Sequence, residues 1–275
     1  MRSAAAASAA VDVSSFWSRI VVALVGLPAV LGLVWLGGWW LCGLLVAAGL
    51  VALHEFYALA RALRPLVLAG YAGLVLALLG AQLEGPTWML GGFVATLALA
   101  FLLKGVSDTR QSLTVAVATT VLGVAWIGLG LAYVLLLRGI PEHGRLAVLT
   151  VLLTVFAADT LAFFTGRLVG RHKLAPVISP GKTWEGLVAS TVAAVLVPFF
   201  ALYHQHFLSV GESLVLGAVI AVAAPVGDLF ESAVKRDFGV KDSGRLLGGH
   251  GGVLDRLDAP LFAAVAAFYT ILALT

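Results

Sequence analysis

Asp228, Glu231, Ser232 and Lys235 stand at i, i+3, i+4 and i+7 within GAVIAVAAPVGDLFESAVKRD, so a helix carries all four on one face. A carboxylate deep in such an apolar helix costs about 2.5–3.5 kcal/mol to insert unless it faces protein, water or an ion. These residues therefore mark either a functional site or a polar seam between helices. The stretch VKDSGRLLGGHGGVLDRLD follows, with Gly248, Gly249, Gly251 and Gly252 around His250. Glycines admit positive φ and close backbone approach, and successive N–H groups in such a turn bind anions. His250 either hydrogen-bonds a phosphate or braces the loop. Asp255 and Asp258 come next, where another helix begins, and with Asp228 they form an all-oxygen set suited to Mg²⁺. Asp258 precedes Ala259-Pro260 and has a second reading as a helix cap.

A second polar stretch, DTLAFFTGRLVGRHKLAPVISPGKTWEG, holds Asp159 inside an apolar run and ends in GKT. This is not a phosphate-binding P-loop, because the required glycine five residues before Gly181 is Pro176 and no buried strand precedes it. Lys182 and Thr183 remain candidate phosphate contacts. Arg167, Arg171 and Lys173 read as topology and headgroup charges. His204 and His206 have no carboxylates beside them in sequence, so a metal site there is not expected. Glu55, in LHEFYALAR, reads as a snorkelling or capping acid near a helix end. Carboxylates that suit a divalent cation, beside bases and glycine amides that suit phosphate, point to phosphoryl or nucleotidyl transfer to a lipid.

The elements that must hold these residues are membrane helices. Hydrophobic residues make up 61% of the chain and charged residues 11%, against about a quarter charged in soluble domains. Nine apolar segments are expected at about 20–37, 39–60, 65–83, 87–103, 112–137, 146–168, 185–204, 213–235 and 258–275. A helix of about 20 residues crosses the hydrocarbon core, and the runs lack the alternation of a membrane barrel. The expected fold is an all-α polytopic membrane protein: a tail at 1–15, then one catalytic domain at 16–275 with its motifs at about 150–260. A cytoplasmic N-terminus puts fifteen Lys and Arg on that side and only Arg138 and Arg145 on the other. Both long polar loops then face the cytoplasm and the C-terminus lies opposite. The lone Cys42 excludes an intrachain disulfide. No nucleic-acid partner is expected.

The pattern S-x-x-K-R-x-x-x-x-K-D-x-G-x-x-L-x-G-H-G-G-x-x-D-R-x-D, spelled by Ser232 through Asp258, resembles the signature of the phosphatidate cytidylyltransferases. SPGKTWEG, Ser179 to Gly186, is similar to that family's SPxKTxEG segment. Gly248 stands where the family usually has proline, which leaves the charged positions intact. The resemblance covers about the last 120 residues. It implies reaction of CTP with phosphatidate to give CDP-diacylglycerol and pyrophosphate, in a multi-pass protein of the cell membrane acting as a homodimer with Mg²⁺. It further implies Asp228 and Asp255 as metal ligands, joined here by Asp258, and a second cation position that potassium could fill. Ser179, Lys182, Thr183, Ser232, Lys235, Arg236, Lys241 and Asp242 take roles on nucleotide or lipid phosphate, and His250, Gly251, Gly252 and Arg256 join them. The alternatives are a CTP-dependent lipid kinase, releasing CDP, and a secondary transporter. The transporter predicts midplane acids and an internal repeat, which the sequence does not display. A CDP-alcohol phosphotransferase requires D-G-x-x-A-R, which is absent.

Overall fold

The structure, a computed structural model, describes residues 26–106, 112–244, 246 and 251–275. Among these, eight helical spans are long and apolar enough to cross a membrane, and they match the second to ninth expected segments. Of the first segment, a ten-residue helix α1, Leu27–Leu36, is described. The part before residue 26 lies outside the described residues.

From Gly38 the chain runs down α2, Gly38–Leu59, and turns back through α3, Val67–Glu84, and α4, Pro86–Val106. Helix α5, Leu113–Gly123, passes through a π turn at Val124–Gly128 into α6, Leu129–Arg138. The second half is α7, Gly144–Leu168; α8, Trp184–Leu202; α9, Val210–Asp237; and α10, Leu254–Leu274. Large apolar side chains such as Leu68, Trp88, Phe101 and Phe200 point outward, as helices dissolved in lipid require.

Phe56 of α2, Trp126 of the π turn, Phe230 of α9 and Phe262 of α10 form an aromatic ladder through the core. Successive ring centroids lie 5.8, 4.9 and 5.7 Å apart, and the first two contacts are edge-to-face. Such geometry sets the edge of one ring against the face of the next. It locks the early helix α2 against the pair that carries the signature, because Glu55 precedes Phe56 and Glu231 follows Phe230.

Two local features differ from the sequence reading. The polar stretch between α7 and α8 contains an antiparallel hairpin, β1, Lys173–Ala175, and β2, Ser179–Thr183, paired Lys173 to Thr183 and Ala175 to Ser179. Thr183 ends β2 and caps α8, its Oγ1 accepting from Gly186 N at 3.1 Å. The second concerns α10, which begins at Leu254 rather than near 258. Asp258 therefore sits in the second turn and does not cap the helix, correcting that alternative. The N–H groups of Val253 and Leu254, orphaned at the helix start, go instead to Glu55.

Candidate active site

The C-terminal part of α9, the start of α10, the hairpin and the end of α2 meet at one end of the bundle. On α9, the expected face forms. Lys235 Nζ lies 2.8 Å from Glu231 Oε2 and 2.7 Å from Asp255 Oδ1 of α10. One turn back, Asp228 Oδ2 lies 2.7 Å from Lys182 Nζ at the end of β2, and Ser232 Oγ approaches Asp228 Oδ1 only to 3.5 Å. Asp159 of α7 faces Asp228, Asp258, Lys182 and Arg256, and Asp258 stands beside Asp228 and Glu231.

Asp255 is heavily engaged. Besides Lys235, it accepts from Ser243 N at 3.0 Å and Gly252 N at 2.7 Å. The Gly252 amide that the sequence reading offered to phosphate is thus directed at Asp255. Gly251 has φ +81°, and a Cβ there would press on Asp255 Oδ2, so only glycine suits this turn. Arg236, exposed, donates to Ile178 O at 3.1 Å and Val240 O at 3.0 Å, tying the hairpin to the end of α9. Lys241 and Asp242 are exposed on the connection that follows. His250, with Gly248 and Gly249, lies outside the described residues.

A cavity of about 660 Å³ opens between α7, α8, α9 and the hairpin. Its polar wall is Asp159, Arg167, Ser179, Lys182, Thr183 and Asp228; its apolar wall includes Phe163, Leu187, Ile220 and Ala224. Ser179, Lys182 and Thr183 thus converge with Asp228, although they are remote from it in sequence. A chamber lined by both phosphate-compatible cations and apolar side chains suits an amphiphilic anion.

The donor set fits a hard cation. Asp159, Asp228, Glu231, Asp255 and Asp258 bring five carboxylates against Lys182, Lys235 and Arg256, and Glu231 Oε1 is buried with no hydrogen-bond partner among the described residues. No three His, Cys, Asp or Glu side chains form a closed metal cage among the described residues. Mg²⁺ does not require one, being held ordinarily by one or two carboxylates together with substrate phosphates.

Glu55 is the residue that sequence reasoning missed. It is 7% exposed and so cannot snorkel. Its carboxylate accepts from Ser243 Oγ at 3.1 Å, Val253 N at 3.0 Å and Leu254 N at 2.9 Å, all in the signature region. The signal available was the one applied to Asp159: an acid inside an apolar helix.

The profile of the Cytidylyltransferase family matches residues 17–274. The chain belongs to the cytidylyltransferase family. Among curated relatives, a phosphatidate cytidylyltransferase of Staphylococcus haemolyticus is 40% identical over 170 residues, 60% of this chain and 64% of that one. One from Haemophilus influenzae is 45% identical over 133 residues, 46% of each chain. One from Staphylococcus aureus is 37% identical over 194 residues, 69% of this chain and 73% of that one. The chain spans less than two thirds of the length of the first two relatives. The match includes the early helices as well as the motif-bearing half, so Glu55 falls within it.

Proposed function

We propose that this protein transfers the cytidylyl group of CTP to phosphatidate, forming CDP-diacylglycerol and pyrophosphate. The observation that carries this reading is the cavity that sets Ser179, Lys182, Thr183 and Asp228 beside apolar side chains such as Leu187, Ile220 and Ala224. The relatives' names support the choice of substrates.

A phosphate monoester has a second pKa of about 6, so near neutral pH the phosphatidate oxygen is already an ionised nucleophile and needs no strong base. It attacks the α-phosphorus of CTP; the bond from that phosphorus to the α–β bridging oxygen breaks, and pyrophosphate leaves with the electron pair. The obstacle is repulsion between two anions, so positioning and charge neutralisation carry the catalysis. Lys182 and Arg167, both in the cavity lining, suit the lipid phosphate. Lys235, Arg256 and Lys241 suit the nucleotide, with Ser232 beside them. Arg236 holds the hairpin in place against α9. Asp228 and Asp258, with Asp255 the third acid of the set, would hold Mg²⁺, which when bound screens the charge on the α-phosphate and leaving group. A second cation, such as potassium, suits the remaining acids.

The site faces the cytoplasm of a cell membrane in this reading, on the positive-inside bias of the loops. A homodimer is part of the same proposal, on family grounds. The test is purified protein in detergent with phosphatidate, Mg²⁺ and CTP labelled at either the α- or the γ-phosphate. Alpha label entering lipid while gamma label leaves as pyrophosphate is expected. Gamma label in lipid would make the protein a kinase, and an unlabelled lipid beside an active control enzyme would return the transporter to consideration.

A further inference from the structure

Glu55 lies on α2, far from the signature in sequence, yet its three hydrogen bonds all end there. Ser243 stands before the glycine-rich segment, and Val253 and Leu254 stand after it. One carboxylate therefore joins the two ends of the segment, with Oε2 taking both the Ser243 hydroxyl and the Leu254 amide. Asp255 takes the amides of Ser243 and Gly252. The two acids thus close the same junction together. Holding two separated stretches of chain together costs conformational entropy, and hydrogen bonds to a buried carboxylate are among the stronger means of offsetting that cost.

The packing is specific to this arrangement. A Cβ on Gly244 would collide with Glu55 Oε1, and one on Gly252 would collide with Ser243 Oγ and Glu55 Oε2. Both glycines are needed because the backbone runs against the carboxylate. The ladder contact of neighbouring Phe56 with Trp126 fixes Glu55 itself. A negative charge at the start of α10 also opposes the positive end of its dipole.

We propose that Glu55 is a positioning residue for the reaction: it sets the junction from which Asp255 reaches Lys235, and so the register of the carboxylates that α10 contributes. This rests on the functional reading above, and it adds a role for the first half of the chain within the signature site. Glu55 touches none of the reacting groups; it acts through Ser243, Val253 and Leu254.

The experiment combines hydrogen exchange with kinetics on the full-length protein in detergent, comparing wild type, Glu55→Gln, Glu55→Asp and Ser243→Ala. In Glu55→Gln the amide group turns N–H donors toward the Ser243 and Leu254 donors. Amides at 252–254 are then expected to exchange at least about tenfold faster, with those at 215–225 in α9 unchanged. The turnover number per folded enzyme should fall by about tenfold to a hundredfold, the range seen when a group supporting a ligand is lost. The Mg²⁺ concentration for half-maximal rate should rise, while KM for phosphatidate holds. Glu55→Asp should recover part of the loss, and Ser243→Ala should show a smaller change of the same kind. Unchanged exchange at 252–254 in Ser243→Ala and Glu55→Asp, or unchanged turnover and Mg²⁺ requirement, would overturn the role even if melting temperatures drop. If Glu55→Gln does not fold, the other two variants decide. A wild type that makes no CDP-diacylglycerol would overturn the functional reading alone, since the exchange measurement needs no substrate and still decides whether Glu55 sets the junction.

Discussion

At the scale of single residues, Lys235 bears the heaviest load. Its ammonium lies between two acids that are almost closed to solvent, with side-chain exposures of 1% for Glu231 and 8% for Asp255. Lys235→Met leaves both facing each other, and breaking a buried ion group in this way costs about 3–5 kcal/mol. A clear drop in melting temperature in detergent is expected, and adding Glu231→Gln to the same variant should recover part of it. Asp228 behaves differently. It is about a third exposed and pairs with Lys182 in the cavity lining. Asp228→Asn should abolish cytidylyl transfer while the melting temperature holds, and wild-type rates in that variant would remove Asp228 from the metal set. The α9 face was legible because helical spacing alone aligns positions 228, 231, 232 and 235. The partners of Glu55 were not, because they lie 188 to 199 residues further on and nothing near it in sequence reports them.

At the scale of elements, the two capped helices separate stability from chemistry. Thr183 both ends the hairpin and caps α8 at the cavity, whereas Ser209 caps α9 at the opposite end through a reciprocal pair with Glu212. Thr183→Ala should cost about 1 kcal/mol and also slow turnover. Ser209→Ala should lower the melting temperature with kcat and KM kept. Equal kinetic losses in the two variants would argue that the cavity end has no special role. Arg236→Ala should speed proteolytic cleavage within 173–183, since its guanidinium is what ties Ile178 O to Val240 O. The spans were readable from length and hydropathy. The hairpin was not: its strands have three and five residues, and SPGKT contains both residues that usually interrupt strands. The start of α9 carried a readable Ser-x-x-Glu cap that places it at Val210, three residues before the apolar pattern begins.

At the scale of the whole molecule, the ion pairs and buried acids of the site gather at one end of the bundle. At the other end Arg138 donates to Val34 O at 3.1 Å and Arg145 stacks over Trp35. The proposed orientation follows from that division and can be checked with single cysteines in a Cys42→Ser background. A membrane-impermeant maleimide should label Gln205→Cys in intact cells and Lys173→Cys only in inverted vesicles; the reverse pattern would turn the molecule over. The division into a lipid-facing exterior and one charged end was visible from composition and loop charge. What composition could not supply is that the early helices complete the site, because the aromatic ladder and Glu55 act only across the folded bundle.

The ladder also bears on how the protein is made. A chain is synthesised from its N-terminus, so α2 and the Trp126 turn enter the bilayer well before α9 and α10. Glu55 then waits in the membrane without its donors, and Lys235 without Asp255, until Val253 to Asp255 emerge. Phe56 and Trp126 offer α9 a docking edge in the meantime. Arrival of α10 is thus the event that gives Glu55 the amides of Val253 and Leu254 and gives Lys235 its second acid.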